Sequence, residues 1–284
     1  MSNGIKTLLQ NAAEQFSQVS DSERLDAELL LAQALGKPRS YLIAHSEETP
    51  DEQAQIKFAS MVERRATGEP VAYILGHAEF WSLHFDVCDA VLIPRPETET
   101  LVSRALEVIP EHEPWRMADL GTGSGAIALA VASERPHCEV IATDVSTPAI
   151  AMARENAQRH GIKNVDFRQG SWYEAVSEGG LEMIVSNPPY VSENDPHLQA
   201  PSMQFEPRNA LIAPANGLRY LREIIEGAPP LLTQGGWLML EHGHAQAEFV
   251  AQLMAAQGFK NVTTDADLAG HPRVTYGHLL DLVA

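Results

Sequence analysis

The 284-residue chain reads as an α/β protein: a doubly wound, mostly parallel, seven-stranded sheet, preceded by a small helical bundle and a β-hairpin joint. Three observations predict this. From about residue 96 onward, short apolar runs alternate with stretches of helical periodicity, and parallel strands need such crossovers. Residues 1–75 carry apolar side chains at helical spacing and no clear strand pattern. Residues 76–95 join the two with aromatic and β-branched side chains around a short break, the pattern of a hairpin.

In the first segment, Ile5, Leu8, Leu9, Ala12, Ala13 and Phe16 share one helical face. Ser20-Asp21-Ser22-Glu23 has capping-box spacing and opens a second helix. Its buried stripe is read as Leu25, Leu29, Ala32 and Leu35, and Gly36 with Pro38 ends it. A short third helix is expected over 39–45. Pro50-Asp51-Glu52 opens a fourth, with Ile56, Ala59, Met61 and Val62 apolar and Gly68 as its stop. Val71–Leu75 leads into the hairpin. Pro94-Arg95-Pro96 is stiff, and Glu97 and Glu99 suit the positive end of a helix running to about Ile109. Strands are expected at 117–120, 140–143, 165–168, 183–186, 237–240, 261–264 and 274–279, with helices near 124–134, 147–160, 217–228 and 245–257. No clear helix separates the last two strands, which predicts an antiparallel pair at one edge. Segment 191–216 has little periodicity and several prolines, and a loop of that length is more often functional than idle.

The net charge of −18 opposes binding to a phosphate backbone, which needs a basic face, so no direct nucleic-acid partner is expected. The opening Met1-Ser2-Asn3-Gly4-Ile5-Lys6 has no apolar core of the signal-peptide kind, and no stretch approaches the roughly 18 apolar residues of a membrane span. Cys88 and Cys138 make no disulfide framework and read as reduced thiols, so a cytoplasmic protein is expected. His242 and His244 lie two apart with no suitable third ligand nearby, so no metal is expected.

Two stretches carry chemistry. Asp119-Leu120-Gly121-Thr122-Gly123-Ser124-Gly125 follows a strand and opens a helix, so its glycines allow a tight turn and close approach of a ligand. The spacing is G-x-G-x-G, and no phosphate-binding lysine follows, which argues against a P-loop. Asp144 ends the next strand, roughly 20 residues on, where an acid grips ribose hydroxyls. A nucleoside fits these residues better than a triphosphate. Trp172, after the third strand, is placed to lie near an adenine. The second stretch is the run Leu181–Ser186, which ends at Asn187-Pro188-Pro189-Tyr190. Two prolines stiffen this strand-end corner and force Asn187 into an extended conformation. The Asn187 side-chain oxygen and the Pro188 carbonyl are two acceptors that suit a planar –NH2 group, with Tyr190 to stack on it.

The glycine loop, the ribose acid and Asn187-Pro188-Pro189-Tyr190 together resemble class I S-adenosylmethionine-dependent methyltransferases acting on planar nitrogens. With the helical N-terminal segment, Ile93-Pro94-Arg95-Pro96-Glu97-Thr98-Glu99 and Phe205-Glu206-Pro207-Arg208-Asn209-Ala210-Leu211, the whole chain is similar to the release factor glutamine methyltransferase family. It departs at Glu241-His242-Gly243, where the family usually has an acidic residue, isoleucine and glycine, and at Ala215-Asn216-Gly217, where the family has an acidic-glycine turn.

The resemblance implies a substrate-recognition domain over 1–75, a hairpin linker over 76–95 and an S-adenosyl-L-methionine-binding catalytic domain over 96–284. It implies methyl transfer to the amide nitrogen (N5) of the glutamine in the Gly-Gly-Gln motif of peptide chain release factors, with S-adenosyl-L-homocysteine as product. Gly121, Thr122, Gly123, Ser124, Gly125, Asp144, Trp172 and Asn187 are then expected at the cofactor, and Asn187, Pro188, Pro189 and Tyr190 at the substrate amide. Within that set, Asn187, Pro188 and Tyr190 carry the chemistry. Arg95 and Glu97 are expected near the cofactor's mouth, and the chain is expected to act as a monomer. The rival expectation is a nucleic-acid base methyltransferase, because the same corner can hold the amino group of an extruded adenine or guanine.

Overall fold

The computed structural model describes residues 4–176 and 179–280, so Met1–Asn3, scanned above for a targeting signal, lie outside the described residues. The chain divides into two compact units, one of Met1–His77 with Pro196–Phe205, the other of Ala78–Asp195 with Glu206–Ala284. Among the described residues, no helix is long and apolar enough to cross a membrane.

The first unit holds α1 (Ile5–Phe16), α2 (Glu23–Leu35), α3 (Arg39–Ala44), α4 (Glu52–Ala66) and α5 (Val71–Leu75) around Leu9, Phe16, Leu30, Leu31 and Phe58. Of the stripe that periodicity suggests for α2, Ala32 is buried and Leu25, Leu29 and Leu35 are not. Leu25 is 39% exposed, while Asp26, Ala27, Leu30 and Leu31 face inward. An ion pair fixes the rotation: buried Asp26 accepts from Arg65 Nε at 2.8 Å, and from the Ser20 and Ser22 hydroxyls at 2.7 and 3.1 Å. Both serines are thus spent on a buried carboxylate, and Ser22 caps nothing. In α4 the buried residues are Ala54, Phe58, Val62 and Arg65, which leaves Ile56 64% exposed. Val71–Leu75 forms a helical turn that leads into the hairpin.

From Ala78 the second unit carries the rest of the hairpin β1 (His77–Phe80) and β2 (Leu83–Asp86), turned at Trp81 and Ser82 with φ of 51° and 57°. Both values match the left-handed pair of a type I′ turn. Then follow α6 (Glu99–Val108), β3 (Arg116–Leu120), α7 (Ala126–Glu134), β4 (Glu139–Asp144), α8 (Thr147–His160), β5 (Val165–Gln169), β6 (Leu181–Ser186), α9 (Arg208–Leu211), α10 (Arg219–Gly227), β7 (Leu232–Glu241), α11 (Ala247–Ala256), β8 (Lys260–Ala266) and β9 (Pro272–His278). The seven strands lie in the order β5-β4-β3-β6-β7-β9-β8. The first five run parallel, and β9 is antiparallel to both β7 and β8. The last strand thus lies inside the sheet and the one before it at the edge. Burial explains this: Val274, Thr275 and Tyr276 of β9 are buried, whereas β8 is mostly half-buried or exposed and starts at an exposed lysine.

Strand order reverses between β3 and β6, and ligands of open α/β sheets bind at the carboxyl ends of strands at that point. Segment 191–216 is better ordered than its composition suggests. Val191 N–H donates to the Leu211 carbonyl and Ala213 N–H to the Val191 carbonyl, each at 2.9 Å. Its middle, Pro196–Phe205, belongs to the helical unit and forms turns at Pro196–Gln199 and Pro201–Gln204.

Candidate active site

The first wall of the site grows from β3. Gly123 has φ +57°, a conformation L side chains rarely adopt, and its N–H donates to Asp144 Oδ2 at 3.0 Å. Ser146 N–H donates to Asp144 Oδ1 at 2.8 Å. Asp144 therefore bridges the ends of β3 and β4. Burial raises its pKa, opposed by the backbone N–H groups of Ser146, Gly123 and Val145. A carboxylate has about four acceptor sites, so Asp144 keeps acceptor capacity beyond these backbone groups. One step below, Asp119 is fully buried: Oδ2 accepts from Thr122 Oγ1 at 2.7 Å and Ala128 N–H at 3.2 Å, while Oδ1 has no partner. Burial pushes its pKa up to about 7.

Trp172 crosses this loop. A Cβ on Gly121 would lie 3.4 Å from the indole, in van der Waals contact with the ring, and Gly121 has φ +76°. The indole N–H donates to Glu223 Oε2 at 3.2 Å, and the Tyr220 ring lies 5.4 Å away. Two aromatic faces and a ribose-type acid beside a bare glycine turn match the chemistry of a nucleoside.

The second wall grows from β6. Leu120 and Ser186 are register partners, and the Ser186 hydroxyl donates to the Leu120 carbonyl at 2.6 Å, so the glycine turn and Asn187 start from the same level of adjacent strands. Neighbouring strands lie about 4.8 Å apart, which brings the two motifs to one chamber. Asn187 Nδ2 donates to Thr98 Oγ1 at 3.1 Å. Tyr190 Oη donates to Glu241 Oε1 at 3.2 Å. Glu241 is fully buried; burial pushes its pKa up to about 7, against the Thr98 and Tyr190 hydroxyls and Arg273. Its Oε2 has no partner of ordinary hydrogen-bond geometry. The Tyr190 carbonyl accepts from Gln246 Nε2 at 3.0 Å.

A cavity of about 240 Å³ is bounded by Gly121, Gly123, Asp144 and Trp172 on one side and Asn187 and Pro189 on the other. Six of the residues expected from sequence thus share one chamber. The rest support it: Thr122 binds Asp119, the Ser124 carbonyl accepts from Asn156 Nδ2 at 2.9 Å, and Gly125 precedes α7. Pro188 and Tyr190 belong to the corner but do not line the cavity. Arg95 and Glu97 do not line it either. Arg95 pairs with buried Glu206, which also accepts from Ile93 N–H at 3.4 Å. Ala90, Val91 and Leu92, with Asn209 and Ala210, line the cavity instead. Ala90, Val91 and Leu92 directly precede the first quoted motif, and Asn209 and Ala210 lie within the second. Tyr220 also lines it, and no sequence signal marks it.

The two departures from the family pattern have local explanations. His242 is buried, its Nε2 2.7 Å from Thr275 Oγ1, so a polar partner across β9 replaces apolar packing. Burial lowers its pKa, which keeps the ring neutral. Ala215, Asn216 and Gly217 have φ of 56°, 57° and 85°, a left-handed turn in which asparagine and glycine are at ease. His244 rests against the His271 ring at 5.7 Å, and no metal-holding group of three or more side chains occurs among the described residues.

The sheet order and the chamber at its reversal are those of a class I methyltransferase. In agreement, residues 7–76 match the family profile described as PrmC N-terminal domain, and residues 100–207 match the methyltransferase small domain. The release factor glutamine methyltransferase of Coxiella burnetii is 48% identical over 95% of this chain and 97% of its own length. That of Escherichia coli (strain K12) is 47% identical over 92% of this chain and 94% of its own. A methyltransferase structure from Pyrococcus furiosus superposes with a TM-score of 0.53 at 18% identity, covering 70% of this chain and 90% of that one, which speaks to the fold alone. The chain belongs to the release factor glutamine methyltransferase family.

Proposed function

We propose that this protein transfers a methyl group from S-adenosyl-L-methionine to N5 of the glutamine in the Gly-Gly-Gln motif of peptide chain release factors, acting in the cytoplasm as a monomer. One observation carries the site assignment: the glycine turn and Asp144 share a chamber with Asn187 and Pro189. On this reading Asp144 accepts from the ribose hydroxyls and Trp172 lies against the adenine.

S-adenosyl-L-methionine supplies an electrophilic sulfonium methyl when bound. The chain's own task is to make a poor nucleophile adequate. An amide lone pair is delocalised into its carbonyl. Asn187 Oδ1 and the Pro188 carbonyl accept the two amide N–H bonds, which holds the nitrogen and favours the positive charge that develops on it. Tyr190 lies against the flat group. Holding the reacting atoms roughly 3 Å apart in a fixed direction supplies much of the remaining rate. The methylated amide loses its proton to water.

Mass spectrometry of a purified release factor after incubation with this protein and cofactor tests the assignment. One added methyl on the Gly-Gly-Gln glutamine is expected. Methyl transfer to RNA or DNA with none to the release factor would replace this reading with the base-modifying one.

A further inference from the structure

Asparagine amides can face either way at a strand end, and only one way leaves an acceptor for a substrate N–H. The residues that decide between the two lie far away in sequence. Thr98, at the start of α6, is 4% exposed and its Oγ1 is 3.1 Å from Asn187 Nδ2. Glu241, at the end of β7, is 1% exposed and accepts from Tyr190 Oη at 3.2 Å. Burial raises the Glu241 pKa, and the Thr98 and Tyr190 hydroxyls act against that rise as donors to the carboxyl.

A threonine hydroxyl has one proton. If Thr98 directs it to the Glu241 carboxyl, only its lone pairs remain for Asn187. The NH2 group must then face Thr98. Turned over, Asn187 would present its oxygen to Thr98 and take that proton, and Glu241, already without a partner at Oε2, would lose another donor in a buried setting. Leaving a buried charged or polar group unsatisfied is costly enough to set the orientation. The same carboxyl holds the phenol of Tyr190, so one buried acid ties both ends of the Asn187–Tyr190 corner.

We propose that Thr98 and Glu241 are positioning residues of the methyl transfer: they lock the Asn187 amide with its nitrogen toward Thr98, so that Oδ1 is the acceptor presented to the substrate amide. This deepens the function proposed above and rests on it. Nothing in it requires either residue to touch substrate or cofactor, and neither lines the cavity.

The test compares wild type, Thr98→Ser and Thr98→Val in single-turnover transfer to a release factor, with cofactor affinity by calorimetry and a thermal midpoint for each. Valine keeps the shape and removes the acceptor; serine keeps the acceptor. A fall of about 100-fold in the transfer rate is expected for Thr98→Val, the scale of losing one directed hydrogen bond in a catalytic site, with cofactor affinity held within about threefold. Thr98→Ser is expected within about fivefold of wild type, since the hydrogen bond survives. Should Thr98→Val fail to fold, Thr98→Ala replaces it in the same comparison. Wild-type rates in the valine or alanine variant would overturn the proposal, and so would a serine variant as slow as either. An inactive wild type would instead overturn the function on which the proposal rests.

Discussion

The two walls of the chamber are built differently. The glycine-loop wall is local: Gly123, Asp144 and Ser146 are joined by backbone N–H groups of adjacent strand-end turns. The amide corner is stiffened by its own prolines but oriented by partners far along the chain, Thr98 89 positions and Glu241 51 positions from the residues they hold. Each wall also hides one fully buried carboxyl group with a partnerless oxygen, Asp119 and Glu241. A wall made from neighbours in sequence can be recognised as a motif. A wall made from distant neighbours shows only its tip.

The largest effect should separate the two duties. Asn187→Ala removes the presented acceptor, and single-turnover transfer is expected to fall by about 100- to 1000-fold with little change in cofactor affinity. Asp144→Ala should do the reverse. Loss of a charge-assisted bond to the ribose lowers cofactor affinity by about 1.5–3 kcal/mol, which calorimetry would read. Transfer at saturating cofactor should largely recover.

The buried acids make a joint prediction about pH. Asp119 and Glu241 are both raised to about 7 in the fold, from ordinary values of 3.8 and 4.5. Between those limits the folded chain holds protons that the unfolded chain has released, so stability is greatest below the lower values and falls as pH rises toward 7. Shifts of this size correspond to roughly 4 kcal/mol for Asp119 and roughly 3 kcal/mol for Glu241. Arg273 and Glu97 act on Glu241 in opposite senses, and Asp144 adds to the rise at Asp119. Denaturant melts from pH 4.5 to 7 would show the slope, and Glu241→Gln should flatten it.

A smaller effect is expected behind the corner. A Cβ on Gly217 would lie 2.1 Å from the Tyr190 carbonyl oxygen, at φ +85°. Gly217→Ala should therefore cost about 1–3 kcal/mol through backbone strain, and the corner should shift with it. Thermal unfolding measures the first, and the transfer rate the second. An alanine variant as stable and active as wild type would show that this corner is less tightly held than the other wall.

What was legible in the sequence follows the same division. Alternation of runs and helices gave the sheet, and strand-end motifs placed the glycine loop, Asp144 and Asn187. Partners across space were not legible. The rotation of α2 is set by the Asp26–Arg65 pair, which spans 39 positions and leaves no local pattern. The placement of β9 between β7 and β8 follows from burial of its own residues, which spacing does not encode. Tyr220 reaches the chamber from a helix whose period explains its buried face but not its half-buried one. Arg95, set between two prolines, looked like a residue aimed at a ligand; its partner Glu206 lies 111 positions later.

The most direct measurement pairs cofactor titration with single-turnover transfer in Asn187→Ala and Asp144→Ala, both at saturating cofactor. The account predicts that Asn187→Ala binds cofactor nearly as wild type does yet transfers almost nothing, while Asp144→Ala binds weakly yet transfers once filled. Wild-type transfer by Asn187→Ala would contradict it, because the corner would then have no part in holding the amide.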